Sequence, residues 1–182
     1  MNNIQTFSII LVGYWNVKIF TPSWIMNEIL DLKEKEEKLD IKLNPNFEPS
    51  FNYKNVTINP TERICEIKIK EGSVKFDDIN LAYSIALNVI KKLPYTPRLA
   101  IGYNYGFKKQ CDTSKIIVPE FFENFETEEI RFSKQEQNFK LTVIYNCKTE
   151  LMTYNLHYSN LSFIKEGFAE EHLKYLKSYG EY

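Results

Sequence analysis

In the middle of the chain the apolar residues change period from 3.6 to two. Ile79, Ala82, Tyr83, Ala86, Val89, Ile90 and Leu93 recur at steps of three and four, the spacing of one helical face. Asn80, Ser84, Asn88 and Lys91 take the opposite face. Asp77 or Asp78 is the expected cap, and Lys91 and Lys92 suit the negative end of the helix dipole. Pro94 and Pro97 stop this helix because neither has an N–H to donate. Leu99, Ile101, Tyr103, Tyr105 and Phe107 then alternate with Ala100, Gly102, Asn104 and Gly106, which predicts a strand with one bulky and one smooth face. GYNYG matches no phosphate loop, and glycine within a strand marks a bulge or a close approach.

Before this stretch, residues 5–20 predict a long strand or a bent pair, with Ile9, Leu11, Trp15, Val17 and Ile19 on one face and a bulge at Gly13. Thr21–Pro22 opens a helix: a hydroxyl cap, then a proline whose missing N–H would have no partner anyway. That helix turns Trp24, Ile25, Ile29 and Leu32 inward, and Lys33–Lys38 extends it or frays. LNPNFEPS, residues 43–50, has loop chemistry. Strands are expected at 55–58, 63–70 and 73–76. After residue 107 the pattern predicts a helix at 118–125 and strands at 128–132, 139–147 and 150–158. A last helix begins at Ser162, carries Phe168, Ala169, His172, Leu173 and Leu176 inward, and ends at Gly180.

Each half, 4–93 and 98–178, thus reads strand, helix, two or three antiparallel strands, helix. The expected architecture is a single α+β domain: one long antiparallel sheet, helices on one face, and a β-α-β-β-(β)-α unit repeated by internal duplication. In element order and length the chain resembles the saddle of the TATA-binding-protein superfamily, over most of its length and by topology alone. The resemblance implies a fold with one open sheet face. It does not carry a function, because the charge balance and the poverty in arginine depart from the DNA-binding members.

Those departures are plain in the composition. Among 182 residues, 23 Lys and Arg face 24 Asp and Glu, and Arg63, Arg98 and Arg131 are the only arginines. Few bidentate forks are therefore on offer to phosphate or guanine. Cys65, Cys111 and Cys147 lie far apart without a CxxC, which suits a reducing compartment. The N-terminus has no secretory pattern and no apolar run approaches a membrane span, so a cytoplasmic protein without a membrane partner is expected. His157 and His172 are the only histidines, and no metal spacing or cofactor fingerprint accompanies them. Cys147 with His157, or Cys111 with His172, could form a nucleophile–base pair only if the fold brought them together. Glu120, Glu123, Glu126, Glu128 and Glu129 form an acidic stretch that solvates an aromatic helix.

What remains is tyrosine. Tyr14, Tyr103, Tyr105, Tyr145 and Tyr154 fall in predicted strands, and tyrosine is favoured at interfaces and stacks on bases. With Asn104, Lys108 and Lys109 they make the expected interaction surface. The first expectation is a non-catalytic protein whose open aromatic sheet face binds a protein partner or a second copy. The alternative is nucleic-acid binding on the same face, which requires basic residues to gather there despite the neutral total. A further alternative is a small-ligand protein or enzyme with a polar pocket near Asn104, between sheet and helices.

Overall fold

The computed structural model describes residues 4–32, 37–43, 48–72, 74–109, 126–159 and 167–178. At its centre β1 (Ile4–Gly13) and β6 (Arg98–Lys108) pair antiparallel. Outward from β1 lie β5 (Ile64–Ile69), β4 (Val56–Pro60), β3 (Pro49–Tyr53) and β2 (Asp40–Leu43). Outward from β6 lie β9 (Leu151–Tyr158), β8 (Lys140–Asn146) and β7 (Glu129–Gln135). The nine strands form one sheet, antiparallel at every pairing, and on each side of the central pair the chain runs outside-in.

The helices cover one face. α2 (Phe76–Lys92) spans β1, β5 and β4, and α3 (Phe168–Lys177) sits over the β6–β9 side. α1 (Pro22–Trp24) continues into a π-helical turn at Ile25–Ile29 and packs against α2. Thr21 caps it as expected: the Trp24 N–H donates to Thr21 Oγ1 at 3.2 Å, and Pro22 takes the first helical position. Asn88 Nδ2 donates to the Ile29 carbonyl at 2.9 Å, and Lys92 pairs with Glu28 at 2.7 Å, tying that turn to α2. Beneath the helices Phe7, Ile9, Leu11, Ile58, Ile67, Ile101 and Leu156 are buried with Ile79, Ala82, Ala86 and Val89 of α2. Each large side chain so removed from water contributes roughly 1.5–3 kcal/mol.

Three expectations are corrected. α2 begins at Phe76 behind Lys75 with no side-chain cap; Asp77 and Asp78 lie inside its first turn, where Asp78 accepts from Asn55 Nδ2 at 3.3 Å. Residues 43–50 are not all loop: Leu43 ends β2 and Pro49 opens β3. Proline is tolerated as the first residue of a strand, and Phe51 and Tyr53 then alternate inward. Val74 is not in a strand but donates its N–H to the Ile4 carbonyl at 3.0 Å on the way into α2. α3 starts at Phe168, after Gly167 at φ 78°, a left-handed conformation that glycine adopts freely. The helix expected at 118–125, most of the Lys33–Lys38 extension, the start at Ser162 and the stop at Gly180 lie outside the described residues. No described helix is long and apolar enough to cross a membrane.

Candidate functional site: the uncovered sheet face

The expected surface divides between the two faces. Tyr103 and Tyr105 are 0% exposed and Tyr145 and Tyr154 are buried, so they form no open aromatic face. Their parity places them with Ile101, Phe107 and Leu156 against the helices, where their rings fill the core: Tyr103 stacks on Tyr83 of α2 at 5.2 Å. Asn104 and Lys108, one residue out of phase, lie on the opposite face. Lys109 follows β6 and donates its N–H to the Glu150 carbonyl at 2.9 Å. Of the expected tyrosines only Tyr14, just beyond β1, is exposed, at 51%, with the Arg63 guanidinium 4.4 Å from its ring centroid. A pocket near Asn104 between sheet and helices is likewise absent among the described residues, because Asn104 points away from the helices.

On the other face, over which no described helix packs and which is called uncovered in that sense, the register lines up one polar row across all nine strands. Asp40, Asn52, Thr57, Lys68, Ser8, Asn104, Asn155, Thr142 and Ser133 are successive cross-strand partners. At about 4.8 Å per strand the row is roughly 38 Å long. Its members bond sideways: Thr57 Oγ1 donates to Asn52 Oδ1 at 2.8 Å, Asn104 Nδ2 to Ser8 Oγ at 3.1 Å, and Asn155 Nδ2 to Asn104 Oδ1 at 2.5 Å. Ser133 and Thr142 share a bond of 3.2 Å. Such bonds fix the amides and hydroxyls in place; Thr57 is buried and Asn52 Nδ2 is shut away from solvent, so the accessible part of the row runs from Lys68 to Ser133.

On either side of Asn104 the central strand carries glycine. A Cβ on Gly106 would meet Thr6 Oγ1 at 2.1 Å, so a side chain there would force the Thr6 hydroxyl to move. A Cβ on Gly102 would meet nothing nearer than Asn155 Nδ2 at 3.9 Å. Internal packing leaves room for a side chain at 102, and its lack keeps the floor between Ile10 and His157 low.

Charge is unevenly shared. Strand alternation puts Lys42, Lys68, Arg98, Lys108, Arg131 and Lys140 on this face, against Asp40, Glu66 and Glu129. Glu66 and Glu129 are held by their strand neighbours Lys68 and Arg131, at 3.7 and 3.0 Å. None of the strand residues on this face is Phe, Tyr or Trp; its one aromatic ring is the His157 imidazole.

The covered face holds the other polar cluster. His172 of α3 is buried, with Nδ1 2.8 Å from Tyr83 Oη and 3.3 Å from Tyr105 Oη, and Nε2 2.8 Å from Tyr158 Oη. Desolvation holds the imidazole pKa down at about 3 and raises the phenols, so the cluster is neutral at physiological pH. A neutral imidazole closed in by hydroxyls joins α2 and α3 to the sheet. The cysteine–histidine pairs do not form a site: Cys65 is buried, with its thiol pushed up to about 12, and Cys111 is outside the described residues. Cys147 follows β8 at the turn, whereas His157 lies six residues up β9 from Leu151, about 20 Å away. Of the acidic stretch, Glu128 pairs with Lys148 at 2.5 Å. No group of three or more His, Cys, Asp or Glu among the described residues is placed to hold a metal ion.

Ser8, Lys68, Arg98, Lys140, Thr142 and Asn155 escaped sequence reasoning. Their signal was present as the polar half of each alternation, but it acquires meaning only once the strand order is known. No protein-family model matches the chain, and no curated protein does either.

Proposed function

We infer that this is a non-catalytic nucleic-acid-binding protein that docks its ligand on the uncovered sheet face. The observation that carries this is the collection of six cations against three carboxylates on one face of a chain whose total charge is -1. Lysines at the margins suit phosphates, and the hydroxyl–amide row offers donors and acceptors to base edges and sugars. Apart from the exposed His157 imidazole the strands present no ring for unstacked bases, so a duplex is favoured over a single strand. Face-to-face self-association is opposed by like charge meeting like. The topological resemblance to the TATA-binding-protein superfamily supports an open face of this kind, and duplication of one unit would account for the mirrored strand order.

The test is fluorescence anisotropy with duplex and single-stranded oligonucleotides between about 50 and 200 mM salt. Four contacting cations give a log–log slope near -3.6 and roughly a hundredfold loss over that range. Lys108→Glu with Lys140→Glu is expected to weaken duplex binding by on the order of tenfold or more, while Lys174→Glu on α3 leaves it unchanged. No binding at the lower salt, or equal loss from the α3 control, contradicts this function.

A further inference from the structure

A pocket of about 540 Å³ opens where the chain leaves β1 and enters β5. Tyr14, Trp15 and Asn16 run out of β1 along one wall, and Glu62 and Arg63, leading into β5, form the other. Backbone bonds of 2.9 Å lock the walls together: the Gly13 N–H donates to the Arg63 carbonyl and the Trp15 N–H to the Glu62 carbonyl. The Tyr14 N–H donates to the Pro97 carbonyl at the same distance. Trp15 is buried, its Nε1 donates to the Leu11 carbonyl at 3.1 Å, and it anchors the segment in the core. The frame is fixed, while the charged side chains that it carries are exposed.

Four kinds of group line this one pocket. Arg63 holds its guanidinium 4.4 Å from the Tyr14 ring centroid, a contact that uses the flat of the cation and leaves its side-chain N–H donors free. Lys18 adds a second cation. Among the described residues neither has a carboxylate partner, whereas Arg131 is closed on Glu129 at 3.0 Å. Glu62 is the one carboxylate of the lining, and it too makes no ion pair among them. Asn16 accepts the Lys18 N–H on Oδ1 at 3.2 Å, which holds the amide and leaves its NH2 to donate. The Tyr14 ring keeps exposed surface beside them.

An arginine fork backed by a second cation suits a phosphate. A carboxylate beside it repels a bare phosphate but accepts the hydroxyls of a ribose. An exposed ring takes the face of a base. We propose that this pocket binds a nucleoside monophosphate, with Arg63 and Lys18 on the phosphate, Glu62 on the ribose hydroxyls and Tyr14 against the base. Its volume falls within the roughly 300–1,000 Å³ of small-ligand sites. None of these residues is among the cations and carboxylates of the proposed nucleic-acid face, so the two readings stand or fall separately.

The test is a two-dimensional amide NMR titration of the full chain with AMP at constant ionic strength, with adenosine and inorganic phosphate titrated in parallel. AMP is expected to shift the amides of Tyr14, Lys18 and Arg63 and the Trp15 indole N–H saturably, with a Kd at least about tenfold tighter than that of either fragment. Arg63→Gln is expected to weaken AMP by about tenfold. Glu62→Gln is the sharper variant. It is expected to weaken AMP roughly threefold without weakening inorganic phosphate, whereas a patch that only collects anions would bind both more tightly once the carboxylate is gone. Both changes fall at exposed positions, where the fold tolerates them. Equal affinity for inorganic phosphate, an unchanged AMP Kd in either variant, tighter AMP in Glu62→Gln, shifts confined to Asn104 and Asn155, or no saturable shift up to about 10 mM AMP overturns the proposal.

Discussion

Both faces of this sheet are cut from the same strands, yet they have almost nothing in common chemically. β1 sends Phe7, Ile9 and Leu11 under the helices and Thr6, Ser8, Ile10 and Val12 to the other side. β6 sends Tyr103 and Tyr105 inward and Gly102, Asn104 and Gly106 outward. The covered face closes its polar atoms into a knot around one neutral histidine; the uncovered face lays them out in a row, with cations around it. A period of two sorts residues into two sets without saying which set is covered. Here ring area decides: burying the tyrosines gives more than exposing them, and the Tyr105 and Tyr158 hydroxyls find a partner in His172.

The largest effects should follow from damage to the covered face. Phe7→Ala removes a fully buried ring that contacts Tyr83 and Tyr105, at 5.8 and 4.8 Å, and is expected to cost about 3–5 kcal/mol in urea unfolding. Thr142→Ala, on the uncovered row, is expected to cost no more than about 1 kcal/mol in the same assay. Equal costs would erase the distinction between the faces.

His172 gives the next effect. Its folded pKa of about 3 lies below the ordinary value of 6.5, so the unfolded chain takes up the proton first as pH falls. This contribution to stability is complete above pH 6.5 and is lost progressively toward pH 3, at up to about 1.4 kcal/mol per pH unit. Urea midpoints for wild type and His172→Leu at pH 7 and pH 4.5 should converge on acidification, as the wild type alone loses this term. Parallel curves would show that the imidazole does not titrate on unfolding.

A finer comparison sits within the covered face itself. The Tyr83 hydroxyl meets Tyr105 Oη and His172 Nδ1, both at 2.8 Å, and Tyr83→Phe is expected to cost about 1–3 kcal/mol. The Tyr103 hydroxyl has no hydrogen-bond partner among the described residues, so Tyr103→Phe is expected to be neutral or mildly stabilising. Thermal unfolding of the two variants separates these outcomes.

Much of this fold is legible in the sequence where one period runs unbroken. α2 and β6 follow from their spacings, and Thr21–Pro22 marks its helix through a cap that the structure contains. β2 and β3 are hidden because Asn44, Pro45, Asn46 and Pro49 crowd the alternation of Phe51 and Tyr53. The polar row is hidden for a different reason. Thr142 and Asn155 face each other across the β8–β9 hairpin, but Ser8, Asn104 and Asn155 come from strands far apart in the chain, and only the order β1-β6-β9 makes them neighbours. The knot around His172 likewise needs α2, α3, β6 and β9 assembled. Long-range register is a property of the packed sheet, and local pattern does not encode it.

The most direct measurement is an amide NMR map of the protein with and without a short DNA duplex at low salt, following the side-chain NH2 signals of Asn104 and Asn155. The account predicts that these two amides, with the backbone of Ser8, Lys68 and Thr142, move and saturate together while α2 and α3 stay still. Movement confined to the helices, or none at Asn104 and Asn155, would contradict it.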